Sequence, residues 1–291
     1  MIIGITGCTG FIGHAVRRAA EARGDSPILF SRRAGEGRRL FSLSEPLNVS
    51  GCDGLVHLAG ESILGLWTPE KRRRILASRV EGTRRLVEGI AAAPVKPRVL
   101  VSASAIGFYG DTGNAAVDED SPAGSGFLAE VAQAWEEEAS KAESFGVRVV
   151  RIRIGFVLGR DGGAMNLIKP VFRLGLGGRL GSGSQWMSCI EVEDLAAIVM
   201  ECLHNDTLKG PVNAVMPEPV TNSKFTMSAA RAAHRPALFP APAFALRLAL
   251  GDLSHLMLDS QKVLPKRLME SGFRYQFESV SSAMEEVFRQ R

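Results

Sequence analysis

The first 25 residues, MIIGITGCTGFIGHAVRRAAEARGD, limit what this chain can fold into more than any other stretch. A short apolar run leads into Gly7, Gly10 and Gly13, and a segment with Val16, Ala19 and Ala20 on one helical face follows. Strand, glycine turn and helix in this order meet three steric needs: a tight turn, a bare backbone where an anion approaches, and close helix-to-strand contact. Amide groups at the start of such a helix point at the anion together, and the helix dipole adds to the attraction. The GxxGxxG spacing differs by one residue from the GxGxxG dinucleotide turn, with the same physical demands. We therefore expect a nucleotide pyrophosphate against Gly7, Thr9, Gly10, Phe11, Ile12 and Gly13.

The remainder agrees with that start. SPILFS, GLVHLAG, PRVLVSASA and VRVVRIRIG are short apolar runs of the kind buried on both faces, separated by segments with helical spacing. Such alternation predicts an α/β fold built on a doubly wound parallel sheet. The clearest helix is expected from Pro69 to Ala93, with Ile75, Leu76, Val80, Leu86, Val87 and Ile90 as its apolar stripe and Lys71 to Arg74 as a solvated outer face. After about residue 160 the texture changes to glycine-rich loops, LGRDGGAM and RLGLGGRLGSGSQWMS, and then to a Pro-bounded helical tail. We expect a nucleotide-binding domain over residues 1–215, with substrate-side loops within 159–189, and a smaller lobe over residues 216–291 across the crevice mouth.

Composition narrows the function classes. The 35 basic and 31 acidic side chains leave a net charge of +4, scattered over helices, so no nucleic-acid surface is expected. Cys8, Cys52, Cys189 and Cys202 lie far apart without a CxxC pair, which fits free thiols in a reducing compartment and no zinc site. No stretch approaches the roughly 18 apolar residues of a membrane span, and the chain starts directly on a strand-like run. A cytoplasmic protein with no metal and no membrane association is the expectation.

The end of the second apolar run identifies the nucleotide. In an NAD site that position carries Asp or Glu, which bonds the ribose hydroxyls and repels an added phosphate. Here Ser31, Arg32 and Arg33 stand 18 residues after Gly13, and no carboxylate appears until Glu36. A guanidinium holds phosphate through two parallel charge-assisted bonds, and a serine donates a third. The expected cofactor is NADP.

TGCTGFIG, HLAGESI, SRVEGT, LGRDGGAM, LGLGGRLGSGSQW and QKVLPKRL together resemble the atypical NADP-binding epimerase family of the extended short-chain dehydrogenase/reductase superfamily. The resemblance covers nearly the whole chain and implies a Rossmann domain with a variable C-terminal part that shapes the pocket of a small polar substrate. It also implies cofactor contacts from Leu58, Ala59, Gly60 and Glu61 at a strand end, from Arg79 on the long helix, and from Val157 beside the nicotinamide. Pairing through the helix of residues 69–93, as in superfamily dimers, would make a homodimer.

The superfamily's chemistry needs a Ser, a Tyr and a Lys one turn after the Tyr, whose charge lowers the phenol pKa. Four residues after Tyr109 and Tyr275 stand Gly113 and Ser279, so no YxxxK exists; the aligned helix positions carry Phe127 and Val131. Ser102 or Ser104 matches the substrate-holding serine, Ser102 being also a cofactor contact. Ser104 and Tyr109 in VSASAIGFYG are the expected reacting pair. His57, inside an apolar run, reads as a satisfied core residue, and Trp186 as packing or pocket lining. A catalytically silent NADP-binding sensor remains open beside the oxidoreductase.

Overall fold

The structure, a computed structural model, describes residues 1–33, 35 and 37–289; Glu36 lies outside them. The first half runs β1 (Ile2–Thr6), α1 (Phe11–Ala22), β2 (Ser26–Ser31), β3 (Arg38–Leu40), β4 (Gly54–His57), α2 (Pro69–Ala92), β5 (Val99–Ala105), β6 (Ala116–Val117), α3 (Phe127–Ser140) and β7 (Arg148–Ile154). Seven strands form one parallel sheet in the order β11-β7-β5-β4-β1-β2-β3, where β11 is Gly210–Ala214. Gly4 of β1 stands opposite Ile28 of β2 on one side and Leu55 of β4 on the other. The chain reverses its direction of winding between β1 and β4, so the crevice beyond their C-terminal ends is where a Rossmann sheet takes its ligand.

Between β7 and β11 come β8 (Phe156–Leu158), α4 (Met165–Arg173), β9 (Trp186–Met187), β10 (Cys189–Glu191) and α5 (Val192–His204). After β11 come β12 (Val220–Thr221), α6 (Asn222–Ala232), α7 (Ala243–Leu250), α8 (His255–Leu258), β13 (Lys262–Val263), α9 (Lys266–Glu270) and α10 (Val280–Phe288). Helices α1 and α5 pack together on one side of the sheet, and α2 with α3 on the other. The expected boundary at 215 falls inside one continuous core: Val280, Ala283, Met284 and Val287 of α10 join Ile3 and Ile5 of β1 and Val16 of α1. The last helix thus buries its apolar face in the same core as β1 and α1.

Helix α2 begins where the sequence predicts, with Pro69 in its first turn and the Thr68 hydroxyl accepting from the Lys71 amide at 3.2 Å. Its buried stripe keeps Ile75, Leu86, Val87 and Ile90 but leaves Leu76 exposed, one residue and about 100° round from Ile75. All four cysteines are free and buried. Among the described residues, no helix is long and apolar enough to cross a membrane, and no cluster of three or more metal-ligating side chains occurs.

Candidate functional site

The turn after β1 is shaped by sterics. Gly7 has φ +69°, and a Cβ there would stand 2.8 Å from the Leu58 carbonyl carbon; one at Gly13 would stand 2.2 Å from the Gly7 oxygen. Gly10 is the N-cap of α1 with no side-chain cap, and no acidic residue lies in the first turn. The first amides of α1, from Phe11 and Ile12 onward, thus lack an intramolecular carboxylate and can receive an anion. The Phe11 ring turns away and lies against the backbone of Gly162 and Gly163, joining this turn to the loop after β8.

Beside that turn Thr9, Ser31, Arg32, Arg33 and Arg38 line a cavity of about 510 Å³. The Ser31 hydroxyl donates to the Arg33 carbonyl and braces the turn, so the guanidinium groups supply the cavity's charge. Among the described residues, none of the three arginines has an ion-pair partner. Arg38 was missed from sequence: it arrives from β3, whose pairing with β2 sets Leu40 opposite Ser31 and Arg38 opposite Leu29. Arg39, its neighbour, is taken up elsewhere, donating to the Ser50 carbonyl at 2.7 Å.

Across the switch point, the end of β4 is tied to β1. The Thr6 hydroxyl accepts from the Leu58 and Ala59 amides at 3.2 and 3.3 Å. Arg79 reaches up from α2 to Gly60 and donates to the carbonyls of Glu61 and Ile75 at 3.0 and 3.2 Å, with its guanidinium 5.0 Å from the Trp135 ring centroid. Burial lowers its pKa to about 10, against the pull of Glu61. The Glu61 carboxylate accepts from Lys71 at 2.8 Å, and that bond holds its pKa below the usual range, with Arg32 acting in the same sense. Leu58, Ala59, Gly60, Glu61 and Arg79 therefore share one edge of the crevice. Val157 lies in β8 opposite Ile190 of β10, near the loop that Phe11 touches.

The expected reacting pair is joined through Glu136 and Arg153. Ser104 is 3 % exposed and donates to Glu136 Oε1 at 2.7 Å; Arg153 donates to both oxygens of Glu136 at 2.8 and 3.0 Å. Arg153 also donates to the Tyr109 hydroxyl at 2.8 Å, which in turn donates to Asn213 Oδ1 at 2.8 Å. Burial raises the Tyr109 phenol to about 12 despite Arg153 beside it. Both hydroxyls are committed inside a network joining β5, α3, β7 and β11. Ser102 is fully buried, its hydroxyl 3.4 Å from the Ala103 carbonyl. Of the two positions expected to align with the superfamily Tyr and Lys, Phe127 opens α3, its ring 5.4 Å from that of Trp67 and under the Arg72 guanidinium at 4.8 Å, while Val131 is buried. Lys71 and Arg72, expected on a solvated face, instead turn to Glu61 and to Asp252 of the C-terminal segment. Trp186 donates to Asn114 at 3.2 Å and carries Lys262 over its ring at 4.4 Å.

Comparison with known proteins agrees with this layout. Residues 241–287 match a domain of unknown function, DUF1731. The chain is 38% identical over 303 residues to a chloroplastic homologue of the epimerase family protein SDR39U1 from Arabidopsis thaliana, covering 99% of this chain and 87% of the relative. It is 35% identical to the epimerase family protein YfhF of Bacillus subtilis, covering 100% and 99%. The crystal structure of human SDR39U1 (isoform 2) with NADPH superposes with a TM-score of 0.93 at 35% identity, covering 99% of each chain. The glycine turn, the β4 edge and the β8 loop all fall within residues 3–214, which match the model of the NAD dependent epimerase/dehydratase family, and the chain belongs to that family.

Proposed function

We propose that this protein binds NADP(H) across the C-terminal ends of β1 and β4 and uses it to exchange hydride with a small alcohol or carbonyl compound. The observation that carries the cofactor is the trio Arg32, Arg33 and Arg38, cations with no ion-pair partner among the described residues, gathered round one cavity beside the glycine turn. The pyrophosphate then lies on the uncapped amides of Phe11 to Gly13, the adenosine ribose phosphate among the arginines, and the nicotinamide end toward Gly60, Arg79 and Val157. The NADPH bound in the human relative supports this choice. Arg38, rather than the Ser31 hydroxyl, is the third donor in our reading. Isothermal titration with NADP and NAD tests it. Each charge-assisted contact is worth about 1.5–3 kcal/mol, so Arg32→Ala and Arg38→Ala should each cost roughly ten- to a hundredfold in NADP affinity and leave NAD unchanged. Equal affinity of the unaltered chain for the two nucleotides would sink the reading.

Family membership favours the hydride chemistry, which the nicotinamide supplies when bound. Ser104 and Tyr109 serve in our reading as a bracket that holds the strand ends rather than as the reacting pair. The burial of those two hydroxyls favours a second reading, an NADP(H)-binding protein that signals the state of the cofactor pool without turnover. A screen of NADPH oxidation with carbonyl substrates separates the two. Turnover establishes the enzyme, and its absence with every compound, in a chain that takes up NADPH, establishes the sensor.

A further inference from the structure

A further cavity lies at the other end of the sheet from the glycine turn. It has a volume of about 910 Å³ and sits where β7 and the edge strand β11 begin, lined by Arg148, Arg151, Lys209 and Arg267 together with Glu143 and Glu270. The strands are parallel, so the cofactor crevice beyond their C-terminal ends is a separate place. Gly210, the first residue of β11, has φ +72° and stands opposite Val150 of β7. A Cβ on it would come within 2.9 Å of Arg267 Nη1 and 3.4 Å of Arg151 Nη2. Two guanidinium groups from different elements thus meet over one bare stretch of backbone.

The four cations are not equally engaged. Arg148 donates to the carbonyls of Cys202, Leu203 and Leu208 and to Asp206. Arg267 gives Nη1 to the carbonyls of Lys209 and Pro211 and Nη2 to Asp120, so it stands as a fixed positive charge. Arg151 spends Nη1 on Ser140 Oγ at 2.8 Å, and its Nε is buried without a hydrogen-bond partner. Among the described residues neither Arg151 nor Lys209 has an ion-pair partner; Glu143 and Glu270 are exposed and pair with neither. A guanidinium and an ammonium so placed suit a phosphate dianion, which takes charge-assisted bonds from both. The volume is that of a small-molecule site and leaves room for an organic remainder, while the two exposed carboxylates repel the successive charges of a nucleic acid. We propose that this cavity binds a small phosphate monoester, its phosphoryl group on Arg151 and Lys209 beside Gly210.

The full chain, saturated with NADPH so that Arg32 is occupied in our reading, is titrated calorimetrically with glucose 6-phosphate, glucose, succinate and a short DNA duplex. Glucose 6-phosphate should bind saturably and glucose should not. Arg151→Gln should weaken that binding roughly tenfold and Lys209→Gln roughly two- to fivefold, while Arg32→Ala leaves it unchanged. Thermal unfolding is the folding control; where Arg151→Gln does not fold, Lys209→Gln, at an exposed position, decides alone. No uptake of glucose 6-phosphate, unchanged affinity in the folded variants, succinate bound as tightly, or the duplex bound more tightly overturns the proposal. So does binding lost in Arg32→Ala and kept in Arg151→Gln, which returns the phosphate to the cofactor cavity. In a chain that takes up no NADPH the same titrations of the free protein test this cavity by itself, so the two readings fail separately.

Discussion

His57 shows what a titratable residue does here when it has no part in chemistry. Its ring lies between Thr6 Oγ1 at 2.8 Å and Thr83 Oγ1 at 3.1 Å, wholly buried, as a satisfied core histidine should be. Burial, with Arg79 in the same sense, lowers its pKa from 6.5 to about 4. Between those values the unfolded chain binds the proton and the folded one does not, so this contribution is present above pH 6.5 and is lost as pH falls through 4. The full effect is on the order of 3 kcal/mol. Comparing unfolding free energies of wild type and His57→Gln at pH 7 and 4.5 should show the gap between them shrinking in acid; a constant gap contradicts the assignment. The comparison matters because Glu191, raised to about 7 chiefly by burial, acts in the opposite direction. Tyr109 makes a second residue-level case. Tyr109→Phe leaves Arg153 Nη1 and Asn213 Oδ1 each short of a buried partner, for an expected loss of about 1–3 kcal/mol in denaturant unfolding. NADPH affinity in the same variant should be unchanged.

At the scale of elements, the edge strand β11 is closed by side chains. Arg267 donates to the carbonyls of Lys209 and Pro211 at 2.9 and 2.8 Å, Pro211 offers no N–H, and the Asn213 amide donates to Glu119 Oε1 at 2.9 Å. An edge so occupied cannot pair with another strand. Arg267→Ala should lower stability by about 1–3 kcal/mol and raise self-association in light scattering, because two carbonyls become free to accept from a neighbouring chain. The elements themselves were largely legible. The glycine turn, the strand runs and the start of α2 follow from local sterics and periodicity, which act within a few residues. What escaped was set by pairing across the fold. Arg38 enters the cavity only because β3 aligns beside β2, and Lys71 and Arg72 look solvated until the residues that meet them are known. The bracket of Ser104, Glu136, Arg153, Tyr109 and Asn213 joins partners 17 to 104 positions apart, which no local pattern reveals. The superfamily match pointed to a serine on β5, but a strand position does not tell which way its hydroxyl is bonded.

For the whole molecule, the C-terminal segment is held by polar contacts as well as by its share of the core. Asp194 of α5 accepts from the Gln276 and Phe277 amides at 2.8 and 2.9 Å, and Arg72 pairs with Asp252. Asp194→Ala removes two charge-assisted bonds, so limited proteolysis under native conditions should cut within residues 271–279 faster than in wild type; an unchanged rate means that the segment's remaining contacts, among them Tyr275 to the Val215 carbonyl and Arg160 to Glu286, suffice to secure it. The four buried thiols extend the same logic to every region of the fold. Cys8 sits in the glycine turn, Cys52 ahead of β4, Cys189 in β10 and Cys202 in α5, with burial raising Cys52 to about 11 and the last two to about 12. An alkylating reagent reaches each sulfur only after its own surroundings have parted, so four labelling rates, read by mass spectrometry, would rank how readily four regions of the unmodified chain come open.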